Sequence, residues 1–306
     1  MMFDQKDLIV PPRLMPGDTV GIIAPAGPFD QGLFYKGIQV LKSMGFDVKV
    51  PEDLFLKTDY LAGSDTHRAQ LLQRLFEDPT VKAVICARGG YGSMRILDLI
   101  DYAMIRSSSK VLIGFSDVSA LLATIYSKSG LVTFHGPVVT TFSIIDQASI
   151  DAVGTAVSTN NPVVLVARNG AVISPGVATG PVLPGNLTTL CHLTGTPFQP
   201  LFKGHILLLE DTGEAPYRID RMLTQLRLAG CLEGLEGLAL GTFENCGRGE
   251  EIQKIVENIF EVDQIPILAG MDFGHGSRNI TIPVGLTATL DAERQRLIYH
   301  RPATNP

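Results

Sequence analysis

The sequence predicts an α/β fold: a mainly parallel, doubly covered sheet in the first half and a smaller mixed α/β or barrel-like domain in the second. Short apolar runs alternate with segments of helical spacing from residue 19 to about residue 126. The runs are almost continuously apolar, as expected of strands buried on both faces. Beyond about residue 150 the pattern changes to short alternating stretches broken by Gly and Pro.

The elements follow in order. Thr19 to Ala24 is an apolar run stopped by Pro25, and Leu33 to Met44 has helical spacing until Gly45 ends it. Phe46 to Val50 reads as a second strand, Thr66 to Phe76 as a helix with Leu71, Leu72 and Leu75 on one face, and Ala83 to Ala87 as a third strand. Ile96 to Ile100 continues as a helix, Lys110 to Phe115 as a strand, and Val118 to Tyr126 as a helix. Val163 to Val166 and Ala171 to Ile173 are short alternating stretches with no long helix between them. The second half then offers Gly185 to Leu193, a strand His205 to Leu209, a helix Arg221 to Leu228, a strand Leu238 to Thr242, a helix Ile252 to Phe260 and terminal strands. A chain of 306 residues exceeds the usual single core. The expected division is therefore 1–155, a linker at 156–184, and 185–306.

Composition excludes several classes of function. Hydrophobic residues make up 45% and charged residues 18%, enough to bury a core. The net charge of -6 comes with no Lys/Arg run or basic-aromatic interleaving, so nucleic acid is not an expected partner. Early acids and prolines interrupt the N-terminal stretch where an export signal would need an apolar run, and no apolar segment approaches the roughly 20 residues that span a bilayer. A cytoplasmic protein with no membrane partner is expected. Cys86, Cys191, Cys231 and Cys246 form no CxxC pair, which argues against a zinc site or a disulfide framework.

Four segments could carry chemistry. In Val111 to Leu122 an apolar strand runs into Ser116 and then into a helix, the geometry of a nucleophile elbow. The backbone N–H of Asp117 would face the same space and stabilise an oxyanion. Val118 replaces the last glycine of GxSxG, and Ser116 or Asp117 could equally cap the helix. Arg88-Gly89-Gly90-Tyr91-Gly92 follows a strand but lacks the third glycine of a dinucleotide fingerprint. Gly90 N–H could be a second oxyanion donor and Arg88 could orient the loop or meet a substrate carboxylate; a plain tight turn is the alternative.

Glu210, Asp211 and Glu214 gather at the end of an apolar strand, where sites collect and where turn formers and helix-dipole acids also occur. Among six histidines, His67 and His300 read as surface residues, and His205 begins a strand. His192 cannot form a dyad with its neighbour Cys191, because adjacent residues of a helix point apart. His135 is structural or part of a site; a structural role is the commoner one for His275 too, but Gly274 and Gly276 on either side leave its imidazole free to reach across a cleft.

Taken together, GIIAPAGP (21–28), ARGGYGSMRILDLIDY (87–102), LIGFSDVSALL (112–122), HGPV (135–138), GNLTTLCHLTGTPF (185–198), LLLEDTGEAPYRIDRMLTQLRLAG (207–230) and FGHGSRNITIPVG (273–285) resemble the LD-carboxypeptidase family of serine peptidases, which includes microcin C immunity peptidases. The resemblance implies a Rossmann-like N-terminal domain carrying a nucleophile, Ser116, and a C-terminal domain carrying the triad acid, Glu210, and the base, His275. It implies no metal or organic cofactor, a homodimer, and a small peptide or muropeptide substrate from which a terminal D-alanine is cut. Arg88, Gly89, Tyr91, Asn186 and Glu214 are the expected substrate contacts, and the Gly90 and Asp117 N–H groups the expected oxyanion hole. Two other readings remain: an immunity peptidase acting on a peptidyl-nucleotide, against which the absence of Trp argues, and a non-catalytic Rossmann-like ligand-binding protein.

Overall fold

The computed structural model describes residues 5, 7–168 and 170–306. Residues 1–4 and 6, part of the stretch read as lacking an export signal, lie outside the described residues. The N-terminal half alternates β1 (Thr19–Ile23), α1 (Gln31–Ser43), β2 (Asp47–Lys49), α2 (Asp65–Glu77), β3 (Val81–Cys86), α3 (Tyr102–Ser108), β4 (Val111–Gly114), α4 (Ser119–Ser129), β5 (Thr133–His135) and α5 (Gln147–Ser158). The remainder comprises β6 (Val164–Val166), β7 (Ala171–Ser174), β8 (Val177–Asn186), α6 (Leu187–His192), β9 (Ile206–Thr212), α7 (Pro216–Leu228), β10 (Gly237–Glu244), α8 (Gly249–Ile259), β11 (Ile267–Ala269), β12 (Ile282–Val284), β13 (Thr287–Asp291) and β14 (Arg296–Tyr299).

Two sheets result. The first has the order β12-β5-β4-β3-β1-β2, and all its pairings are parallel except β12 with β5. Every residue of β4 is buried, and so is all of β3 but Lys82, which is why these strands read as unbroken apolar runs. The second sheet has the order β6-β14-β13-β8-β9-β10-β11-β7, with a parallel centre, β8 to β11, and antiparallel flanks. Its edge strands β6 and β7 are joined only by residues 167–170. That connection spans about 17 Å at full extension, so the sheet must curl until its edges approach, which accounts for the barrel-like character.

The structure corrects three expectations. The segment 156–184 is not a linker: it holds the end of α5 and contributes β6, β7 and most of β8 to the second sheet. Its short, Gly- and Pro-broken stretches are edge and flank strands. Helix α5 was also unforeseen. Asp146 caps it by accepting from Ser149 N–H, and Val153, Ala156 and Val157 are buried, so packing overrides the weak helix propensity of its Gly, Thr and Val residues. Finally, Ile96 to Leu99 lies in a 3₁₀ turn over Ser93–Leu99 that ends before the extended Ile100, and the following α-helix is α3, capped by Asp101.

The halves interlock. Strand β12 leaves the C-terminal half to pair with β5, aligning Ile282 with His135 and Val284 with Thr133, so the segment 185–306 is not confined to its own sheet. Ser119 Oγ on α4 accepts from Asn186 N–H at 3.0 Å, and the Tyr126 hydroxyl meets His205 Nε2 at 3.1 Å. No helix among the described residues is long and apolar enough to cross a membrane.

Candidate active site

Ser116 stands where β4 turns into α4. Its φ is +64°, a left-handed conformation that costs a non-glycine residue about 1–3 kcal/mol and persists only where the surroundings impose it. The capping alternative does not hold, because neither the 3₁₀ turn Ser116–Val118 nor α4 has a side-chain cap. The first backbone bond of the turn runs from Val118 N–H to Phe115 O, leaving Asp117 N–H without a helical acceptor at its opening. The Ser116 hydroxyl lies 3.1 Å from His275 Nε2.

His275 is delivered by the loop preceding β12, so the pairing of β12 with β5, next to β4, brings it over the Ser116 turn. Its Nδ1 lies 2.6 Å from Glu210 Oε2, which also accepts the His275 backbone N–H at 3.1 Å. Glu210 sits near the end of β9 and is fully buried. Gly274 makes this approach possible: at φ +100°, a Cβ there would stand 2.6 Å from Glu210 Cβ. The Phe115 ring packs on the imidazole with centroids 4.9 Å apart. Burial pushes the His275 pKa down, but the hydrogen bond and charge of Glu210 outweigh it, and the net shift is upward.

The glycine-rich loop packs against the same turn. A Cβ on Gly89 would stand 2.9 Å from Ser116 Cβ and 3.2 Å from Phe115 O, so only glycine admits this approach. Asp117 anchors the loop: its buried carboxylate accepts from Ser93 N–H at 2.8 Å and from Ser93 Oγ at 2.5 Å. Arg88 donates to Pro28 O at 2.6 Å, in keeping with a role in orienting the loop. Gly90 has φ +105° and lies against Gly27, while the exposed Tyr91 ring sits 5.7 Å from that of Tyr60.

Asn186 has a structural role that its expected substrate contact did not include. It is buried, caps α6 by accepting from Thr189 N–H, and donates to Asp211 Oδ1 at 3.0 Å. Asp211 in turn accepts from Thr188 N–H and Oγ1, bracing β9 beside Glu210. Glu214 lies beyond the strand and pairs with Arg218 at 3.3 Å. The reading of the sequence missed Ser93 and Asp211 as braces, and also Glu244, whose charge helps raise the His275 pKa. Ser93 follows the glycine motif and Asp211 follows Glu210, but nothing local separates a brace from a ligand. Among the described residues no group of three His, Cys, Asp or Glu side chains is arranged to hold a metal ion.

Ser116, His275 and Glu210 thus form one hydrogen-bonded chain suited to proton transfer from a hydroxyl nucleophile. Family models of the LD-carboxypeptidase N-terminal and C-terminal domains match residues 20–136 and 179–290. A Bacillus subtilis protein named probable murein peptide carboxypeptidase is 36% identical, over 94% of this chain and 93% of its own. The microcin C7 self-immunity protein MccF of Escherichia coli is 28% identical, over 97% of both chains. The crystal structure of muramoyltetrapeptide carboxypeptidase from Oxalobacter formigenes superposes with a TM-score of 0.81 at 30% identity, covering 93% of this chain and 99% of that one. On these matches, and with this arrangement of residues, the chain belongs to the LD-carboxypeptidase family.

Proposed function

We propose that this protein is a serine carboxypeptidase that releases terminal D-alanine from a murein tetrapeptide during peptidoglycan recycling. The observation that carries the proposal is the chain from Ser116 Oγ through His275 to buried Glu210, with Ser116 held at positive φ at the mouth of the turn. Likeness to relatives named for murein and muramoyltetrapeptide substrates supports the substrate class.

In this mechanism His275 Nε2 takes the proton as Ser116 Oγ attacks the carbonyl of the L,D-peptide bond. Glu210 holds the Nδ1–H tautomer and stabilises the imidazolium. The oxyanion is received by the N–H groups of Asp117 and Gly90. Collapse expels the D-alanine amine with the proton from His275, leaving an acyl-enzyme that water hydrolyses, with His275 again as base. Arg88 and Tyr91, which are exposed, and half-buried Glu214 are the candidates for gripping the substrate, and Gly89 admits it closely. The protein acts in the cytoplasm as a homodimer.

Incubating the protein with L,D-tetrapeptide and, separately, with a peptidyl-adenylate analogue tests the proposal. D-Alanine release from the tetrapeptide is expected. Cleavage of the adenylate alone would favour the immunity-peptidase reading that likeness to MccF keeps open, and turnover of neither would favour a binding protein.

A further inference from the structure

Glu210 is fully buried, yet only one of its oxygens is engaged: Oε2 serves His275, whereas Oε1 has no hydrogen-bond partner among the described residues. A buried carboxylate oxygen left bare carries a large desolvation penalty. Other buried polar atoms are also unpartnered among the described residues, including both ring nitrogens of His135, Asn279 Nδ2 and Thr281 Oγ1.

These residues converge through the backbone. His135 ends β5, opposite Gly114 of β4 on one side and Ile282 of β12 on the other. Its ring stands edge-on to Phe115 and Phe273, at 6.1 and 6.0 Å, and Phe115 also covers the His275 ring. Thr281 Oγ1 would be 2.6 Å from a Cβ on Gly136, the residue after His135. Asn279 Oδ1 accepts from the N–H of Gly274, the residue that packs on Glu210. Glu210 and His275 both act electrostatically on His135, and burial among these groups lowers its pKa to about 4, so the ring is neutral at physiological pH, with one donor and one acceptor nitrogen.

We propose that His135 is a positioning residue whose ring N–H reaches Glu210 Oε1 through a buried water, while Asn279 Nδ2 and Thr281 Oγ1 complete the polar surroundings of that oxygen. These atoms make no direct hydrogen bond to one another, and a polar site that offers several partners suits a bridging water. The carboxylate is thereby held in place, with Oε2 aimed at His275 Nδ1. The inference rests on the reading of Glu210 as the group that orients His275.

The test compares His135→Phe with His135→Asn and His135→Gln, whose amides stand in for Nδ1 and Nε2 respectively. Tetrapeptide turnover, melting temperature and the low-field proton resonance of His275 Nδ1–H are measured on each. His135→Phe should lower kcat about tenfold or more, the scale on which loss of an outer hydrogen-bond partner weakens the group it orients in metal sites. KM should be nearly unchanged and the His275 resonance should move. At least one amide variant should restore both rate and resonance. Wild-type kcat with an unmoved resonance in His135→Phe, or rescue by neither amide, would overturn the role. Glu210→Gln, run alongside, separates the two ideas: an unaltered resonance and rate there would sink the reading of Glu210 itself, whatever His135 does.

Discussion

Glu210 and Glu214 lie four residues apart, and the structure gives them opposite surroundings. Glu210 is fully buried against His275, whereas Glu214 is half-buried and pairs with Arg218. Glu210→Gln should therefore lower kcat steeply, up to about 10⁴-fold by analogy with triad-acid amides, while Glu214→Gln should chiefly raise KM. Steady-state kinetics on both variants decides the matter, and a kcat collapse confined to Glu214→Gln would reverse the assignment. The three residues that meet in the structure were each candidates in the sequence, as a strand-to-helix serine, an acid at a strand end and a glycine-flanked histidine, but only the family resemblance joined them into one set. The capping role of Asn186 was not legible, because an N-cap and a ligand demand the same side chain.

At the scale of elements, the site depends on how closely the glycine-rich loop rests on the Ser116 turn. Gly89→Ala would press a methyl group 2.9 Å from Ser116 Cβ, and misplacement of a nucleophile by about 1 Å can cost about 10²-fold. A fall in kcat on that scale, with the melting temperature little changed, is the expected outcome; wild-type turnover would mean that the contact does not set the position of Ser116. Strands were legible because β3 and β4 are apolar nearly throughout. Helix α5 was not, since its stability comes from tertiary burial rather than propensity. Nor was β12, a three-residue strand containing Pro283, whose pairing with β5 is set by contacts far away in the sequence.

Across the molecule, two interlocked sheets bring Ser116 from one half to Glu210 and His275 from the other, and the assembled site has a pH signature. Glu210 raises the His275 pKa against the effect of burial. Activity requires the neutral ring, so it should fall as pH drops through that raised value, above the ordinary 6.5 of the free imidazole. Stability runs the other way. The ion pair contributes fully below the unfolded pKa and is lost as pH rises through the folded one. NMR titration of His275 should give a lower pKa in Glu210→Gln than in the wild type; equal values would mean that the carboxylate does not govern the ring.

The most direct test is D-alanine release from murein tetrapeptide by the wild-type protein and by Ser116→Ala, with circular dichroism to establish that both are folded and a chelator present throughout. The wild type should release D-alanine at an undiminished rate in the chelator, and folded Ser116→Ala should release none. Turnover by the alanine variant, or wild-type activity abolished by the chelator and restored by zinc, would contradict attack by the Ser116 hydroxyl.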